Sequence, residues 1–244
     1  MNLLALDTCD ARGSVSVLRD ADVLQTVEHD TSDDYSIWLL PAIDRALQAS
    51  GLVFADVDVY VAASGPGSFT GVRVGLTTVK AWAEVTGKPI VGVSRLEALA
   101  TQADPAAGFV AAFANAQRKQ IFCALYRREG EHLHRIGDET VIAPEGFMAW
   151  ALENSGGAQV AWISTDPEMM AETDAWTARQ RDGAAGRVQP ASPYLATSIG
   201  KLGFRLATMK QFTDPLRLDA NYVRRSDAEV AWIDRQERAS KTAG

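Results

Sequence analysis

Residues 65–71 read Gly-Pro-Gly-Ser-Phe-Thr-Gly, with Ser64 before them and Val72-Arg73-Val74-Gly75 after them. The three glycines Gly65, Gly67 and Gly71 and the hydroxyl residues Ser68 and Thr70 follow an apolar run and open a helix-like stretch. Free N–H groups at the positive end of a helix attract anions, so the chemistry on offer is phosphate binding. Two phosphate patterns fail on inspection. A Walker A loop needs Lys after its last glycine, and Val72 stands there; G-x-G-x-x-G meets Thr70 where a glycine is required. Pro66 and Phe69 favour a rigid, packed turn in which the glycines only let a strand bend sharply into a helix. These residues leave both readings open.

A phosphate turn of this kind needs an acid at the end of a neighbouring strand. Asp7 and Thr8 close the apolar run "LLALDT", but Cys9 occupies a position where glycine is expected, and Gly13 and Ser14 arrive late. In the second half the corresponding place, in "AFANAQRKQIF", holds Asn115 instead of a carboxylate. Gly156–Gly157 precedes a strand, not a helix, so it is not placed to cover an adenine. The nucleotide machinery reads as incomplete. Cys9 and Cys123 form neither a disulfide framework nor a metal quartet, and His29, His132 and His134 are scattered. The His132-x-His134 pair reads as a solvent-facing strand edge, not a zinc site. No Ser/His/Asp spacing supports a peptidase. No catalytic residue and no metal site is assigned.

The elements that must carry these residues follow from periodicity. The first half reads as strands at "NLLALDT", "GSVSVLR" and "VLQTVEH" and a helix from Ser32 to Gly51 with Pro41 inside it. A buried strand "VDVYVAAS" follows, then a helix from Val72 to Thr86, a strand "PIVGV" and a short helix "SRLEALATQ". After "ADPAAG" the second half repeats the order: strands "FVAAFAN", "KQIFCALYR" and "EHLHRIGDETVI", a helix "PEGFMAWALEN" and a strand "AQVAWIST". A helix "DPEMMAETDAW", a weak strand "GRVQP" and a long helix "SPYLATSIGKLGFRLATM" complete it. A βββαβαβα unit used twice is the α/β, two-lobed architecture of the actin, Hsp70 and hexokinase class, a duplicated ribonuclease H-like fold. The expected division is an N-terminal lobe at 1–103, a C-terminal lobe at 104–224 and a polar tail at 225–244.

Two helices carry apolar residues on more than one face. In the helix after the loop, Val72, Leu76, Val79 and Ala83 make the core face. Val74, Thr78, Ala81 and Val85 make the opposite one. In the first helix Leu40, Ile43 and Leu47 are expected in the core. Tyr35, Trp38, Ala42 and Arg45 are expected on an outer stripe suited to a protein partner.

The chain has 244 residues, 47% hydrophobic and 23% charged, with a formal net charge of −7. That balance argues against nucleic-acid binding by the chain alone, since phosphate contacts need clustered Lys and Arg. "MNLLALDTCD" lacks the basic start of a signal peptide, and no apolar run approaches a membrane span, so the cytoplasm is the expected compartment.

"LLALDT", "GSVSV", "LLPAIDRAL", "GPGSFTGVRVG" and "KPIVGVSRLEALA" together resemble the bacterial TsaB (YeaZ) family, over roughly residues 2 to 103, and "ANYVRRSDAE" resembles its closing segment. The resemblance implies a non-catalytic subunit that pairs with the related ATPase TsaD. With TsaE, that pair installs threonylcarbamoyl on adenosine 37 of tRNAs reading ANN codons. It implies that ATP and magnesium are held by the partner and that the contact is built from the first two helices of each protein. It also implies that the same surface forms homodimers when TsaD is absent. The histidine metal motif of TsaD, H-x-x-x-H, has no counterpart here. Asn115, Gln117 and Gln120 replace charged residues of the family pattern, and Tyr35–Ser36 stand for its usual His-Ser. On this reading the loop keeps the shape of an ancestral phosphate turn and sets the angle of the interface helix. The alternative is an ATP-dependent small-molecule kinase or acyl/carbamoyl transferase of the same fold.

Overall fold

In the computed structural model, which describes residues 1–183 and 187–224, the apolar runs of the first half form one mixed sheet. Strands β1 (Asn2–Asp7), β2 (Ser14–Arg19), β3 (Asp22–Glu28), β4 (Val59–Ala63) and β5 (Ile90–Val93) lie in the order β3-β2-β1-β4-β5. The first three pair antiparallel, and β4 and β5 run parallel to β1. β1 and β4 are buried on both faces, and their sequences are accordingly continuous apolar runs instead of alternating ones.

The second half repeats the layout. Strands β6 (Phe109–Asn115), β7 (Ile121–Glu129), β8 (His132–Ile142), β9 (Val160–Ser164) and β10 (Gln189–Pro190) lie in the order β8-β7-β6-β9-β10. Each sheet thus reads third-second-first-fourth-fifth in its own chain order. The two-lobed actin/Hsp70-like fold expected from the repeated pattern is the one observed. The stretch read as one helix, "DPEMMAETDAW", is two: α5 (Glu168–Ala171) and α6 (Asp174–Arg181), the second opened by a Thr173 cap on the Trp176 amide. Residues 225–244, read as a tail, lie outside the described residues.

The helices do not divide between the sheets as the strands do. Helix α1 (Tyr35–Ala49) packs on β2 and β3, and α2 (Phe69–Thr86) packs on β1, β4 and β5. They share the face bearing Tyr60, whose ring meets Trp82 of α2. The opposite face of that sheet is covered by α7 (Ala196–Thr208), from the far end of the chain. Gly200 sits against Leu18 and Ala5, and Gly203 against Val61, where a Cβ would collide. In exchange α3 (Arg95–Ala100) packs on β6, β7 and β9 of the second sheet, while α4 (Pro144–Asn154) covers β7 and β8. One apolar core therefore runs through both lobes, from Leu4 and Val61 to Ala112 and Tyr126. Each large side chain in it contributes about 1.5–3 kcal/mol of burial.

Candidate functional site

Strand β4 delivers the chain into the 65–71 loop, and the loop closes onto the end of β1. The Ser68 amide donates to the Cys9 carbonyl at 2.7 Å, and the Thr8 hydroxyl donates to the Gly71 carbonyl at 2.6 Å. Gly67, Gly71 and Gly75 follow at four-residue spacing, on one side of the α2 start. A Cβ on Gly67 would meet the Cys9 carbonyl, and one on Gly71 the Thr8 carbonyl. One on Gly75 would lie 2.6 Å from the Thr8 hydroxyl. The glycines allow α2 to lie directly on the backbone that leaves β1. Gly65, with φ of 100°, makes the bend that glycine tolerates best. The Ser68 side chain accepts weakly from the Gly71 amide, and α2 therefore starts at Phe69, three residues before the expected Val72. The structure brings Asp7, Thr8, Gly67, Ser68 and Gly71 together as the sequence suggested. Thr70 points to solvent.

Asp7 is fully buried at the end of β1. One carboxylate oxygen accepts the Cys9 amide at 3.0 Å; the other faces Arg95 Nε at 3.3 Å. Arg95, only 3% exposed, also reaches Asp10 at 3.2 Å. Burial works against the charge on its guanidinium, but Asp7 and Asp10 outweigh it and hold the group ionised more firmly than usual. Burial, with the same two carboxylates, pushes the Tyr35 phenol up, and its hydroxyl donates to the Asp10 carbonyl. Sequence reasoning missed Arg95 and Asp10. The available signal was a cation inside the apolar run "VGVSRLEALA", which a buried helix tolerates only with a carboxylate beside it.

Helix α1 buries Ile43 and Leu47 as expected, but its core face is rotated toward part of the expected outer stripe. Its buried residues are Trp38, Leu39, Ala42, Ile43, Ala46 and Leu47. Trp38 and Ala42, read as partner-facing, are 5% and 0% exposed and lie in the core; Leu40, read as core, is 58% exposed. The correction has a physical cause. Two apolar stripes on one helix leave its phase ambiguous, and the larger payload goes inside. Trp38 and Tyr35 pack around the buried His29, with ring centroids 4.9 and 4.6 Å from it. The His29 ring nitrogens lie 2.8 Å from the Ala11 carbonyl and 2.9 Å from that of Asp33. Tyr35 is thus half-buried and turned inward, and Arg45 is exposed. The outward apolar residues of α1 are Ile37, 65% exposed, and Leu40. Helix α2 keeps the expected phase: Val72, Leu76, Val79 and Ala83 are buried. Val74 and Thr78 are half-buried, Ala81 is exposed, and Val85 is 85% exposed. α1 and α2 lie against each other.

Between the lobes is a cavity of about 570 Å³, lined by Cys9, Asp10 and Arg95 on one side and by Asn115, Gln117 and Arg118 on the other. Asn115 ends β6; its side-chain oxygen accepts the Gln117 amide at 2.7 Å and its own amide donates to Asp166 at 3.2 Å. The second lobe therefore does place a carboxylate at this end, Asp166 after β9, which the sequence reading missed by looking only at position 115. Asp166 is engaged by the Thr165 hydroxyl at 2.7 Å and by Arg12 at 3.4 Å. Among the described residues no three His, Cys, Asp or Glu side chains converge as metal ligands, and no helix is long and apolar enough to cross a membrane.

Comparison with known proteins agrees with this architecture. The family model for TsaD, tRNA N6-adenosine threonylcarbamoyltransferase, matches residues 26–174. The tRNA threonylcarbamoyladenosine biosynthesis protein TsaB of Bacillus subtilis is 26% identical over 236 residues, 97% of this chain and 100% of that protein. Its Escherichia coli namesake is 31% identical over 148 residues, 59% of this chain and 64% of that one. The solved structure of YeaZ from Pseudomonas aeruginosa superposes with a TM-score of 0.67 at 23% identity, covering 91% of this chain and 99% of that one. The chain belongs to the family that the TsaD model describes and, within it, to the TsaB (YeaZ) proteins.

Proposed function

We propose that this protein takes part in tRNA threonylcarbamoyladenosine biosynthesis as a non-catalytic subunit, pairing through α1 and α2 with a TsaD-type transferase. The observation that carries the reading is the outward apolar surface of two adjacent helices, Ile37 and Leu40 on α1 and Ala81 and Val85 on α2. Exposed apolar residues gathered on neighbouring helices, as Ile37, Leu40 and Val85 are at 58–85% exposure, suit a surface that a partner covers. The full-length match to a TsaB supports the same reading. The 65–71 loop then serves as a hinge block: its glycines set α2 tightly on Thr8 and Cys9 and so fix the angle at which the helix is presented.

The cleft chemistry supports a non-catalytic role. The Asp7 carboxylate is engaged by the Arg95 guanidinium and the Cys9 amide. A cation already lies between Asp7 and Asp10, so these residues do not fit a nucleotide-bound divalent ion. ATP and magnesium would be bound by the partner, with a TsaE-type ATPase joining the pair. Without its partner the same helices would support a homodimer. Mixing the chain with the TsaD-type protein of the same genome tests the proposal: a stable complex is expected. A chain that stays alone and turns over Mg-ATP would overturn it in favour of a kinase or acyl/carbamoyl transferase.

A further inference from the structure

The last described stretch, 213–224, crosses from one lobe to the other. Its start is fixed to the first sheet. Thr213 donates its amide to the Ile90 carbonyl at 2.8 Å, and its hydroxyl accepts the Gly92 amide at 3.1 Å. Lys80 of α2 donates to the Leu218 carbonyl at 2.8 Å, and Arg73 of α2 donates to the Tyr222 hydroxyl at 2.8 Å. The Asn221 amide donates to the Ser64 carbonyl at 2.7 Å, at the mouth of the 65–71 loop. From there the stretch changes lobe. The Asn221 side chain donates to Glu139 of β8. The Arg224 guanidinium then donates to the Ala116 carbonyl and the Gln120 side chain, on the turn between β6 and β7.

That turn is unusual. Gln117, Arg118 and Lys119 have φ of 62°, 55° and 60°, three successive left-handed residues with no glycine among them. Such backbone persists only where its surroundings over-determine it. Within the hairpin it is held by the Gln120 amide on the Gln117 carbonyl at 3.0 Å and the Ala116 amide on the Gln120 carbonyl at 2.9 Å. Arg224 adds a grip from outside the hairpin. The turn is also one wall of the cleft, since Ala116, Gln117 and Arg118 line it opposite Cys9 and Asp10. The lobes themselves share one core through α3 and α7. Separating them whole would expose that core, so the turn is the wall that can move.

We infer that residues 213–224 form a latch across the cleft and that Arg224 is its bolt, holding the 117–119 turn in its left-handed form. Release of Arg224 lets the turn relax and widens the cleft on that side. The inference does not depend on which partner covers α1 and α2.

Amide hydrogen exchange of the full chain, read by peptide, tests it. Arg224→Ala and Gln120→Ala are expected to speed exchange across 114–122 about tenfold, with strands β1 and β4 unchanged. Arg217→Ala, an exposed residue on the same stretch, is expected to exchange as the unsubstituted chain does. Wild-type exchange across 114–122 in Arg224→Ala, or an equal rise throughout the molecule, overturns the latch. If Arg224→Ala fails to fold, Gln120→Ala decides by the same peptides, because it removes only the acceptor side chain.

Discussion

The turn that follows β1 and the turn that follows β6 occupy the same place in two copies of one topology, yet they are held in different ways. After β1 the strain is removed by composition. Gly13 leaves room for the Tyr35 hydroxyl and the Asp7 carbonyl, and Gly67 and Gly71 let α2 close on Cys9 and Thr8. The buried Asp7 carboxylate is paired in place by Arg95, which Asp10 also faces. After β6 there is no glycine; three ordinary residues take left-handed backbone, with the Gln117 amide donating to the Asn115 side chain, the Gln120 amide donating to the Gln117 carbonyl, and Arg224 donating to Ala116 and Gln120 on either side of them. The comparison teaches that a duplicated scaffold constrains where a turn lies but not how it is stabilised. The first turn is fixed by close packing together with buried hydrogen bonds and an ion cluster, which cost much to disturb; the second, whose residues 117–119 are exposed, rests on hydrogen bonds that can be exchanged for water.

The largest effect is expected from breaking the buried charge cluster. Arg95→Met strands Asp7 in the core without its counter-ion and is expected to cost about 3–5 kcal/mol in urea unfolding. Gly71→Ala should follow at roughly 3 kcal/mol, because the new methyl meets the Thr8 carbonyl and backbone must move. The matching change in the other turn goes the opposite way. Lys119→Gly relieves one left-handed residue and is expected to stabilise by about 0.5 kcal/mol, after the entropy that glycine loses on folding. A loss of stability instead would remove the contrast between the turns.

The smallest effect concerns pH. Burial pushes the Glu97 carboxyl above its usual range, and the ion pair with Arg205 at 3.0 Å only partly offsets this. A folded state that holds the proton more tightly than the unfolded one is favoured at low pH. It loses that advantage as pH rises from about 4 through the raised value. Glu97→Gln is expected to flatten unfolding free energy against pH in that interval and leave it unchanged in shape near neutrality.

Much of the scaffold was legible because its signals are local. Continuous apolar runs marked β1 and β4, and the spacing of Val72, Leu76, Val79 and Ala83 gave the core face of α2 correctly. Helix α1 misled for a reason internal to it: Trp38 and Leu40 sit on different stripes of similar hydropathy, and only the neighbours His29 and Tyr35 decide which goes inside. The exchange of α3 and α7 between sheets left no local trace, since each helix reads the same whichever sheet it covers. The Arg95 cluster joins residues 85 and 88 positions apart, so only the presence of a cation in an apolar segment hinted at it. The left-handed turn was hidden because Gln, Arg and Lys do not advertise positive φ as glycine or asparagine does. Asp166 was missed because its partner position, Asn115, lies 51 residues away.

The central claim is that the outward faces of α1 and α2 take a TsaD-type partner. Calorimetric titration of the chain with the TsaD-type transferase of its own genome tests it most directly, comparing wild type with Leu40→Glu/Val85→Glu. Both substituted positions are exposed, so the melting temperature should stay within a few degrees of wild type. The account expects a Kd of about 1 µM or tighter for wild type and at least a roughly hundredfold loss in the variant. Equal affinity of wild type and a well-folded variant, or no binding by either, would contradict it.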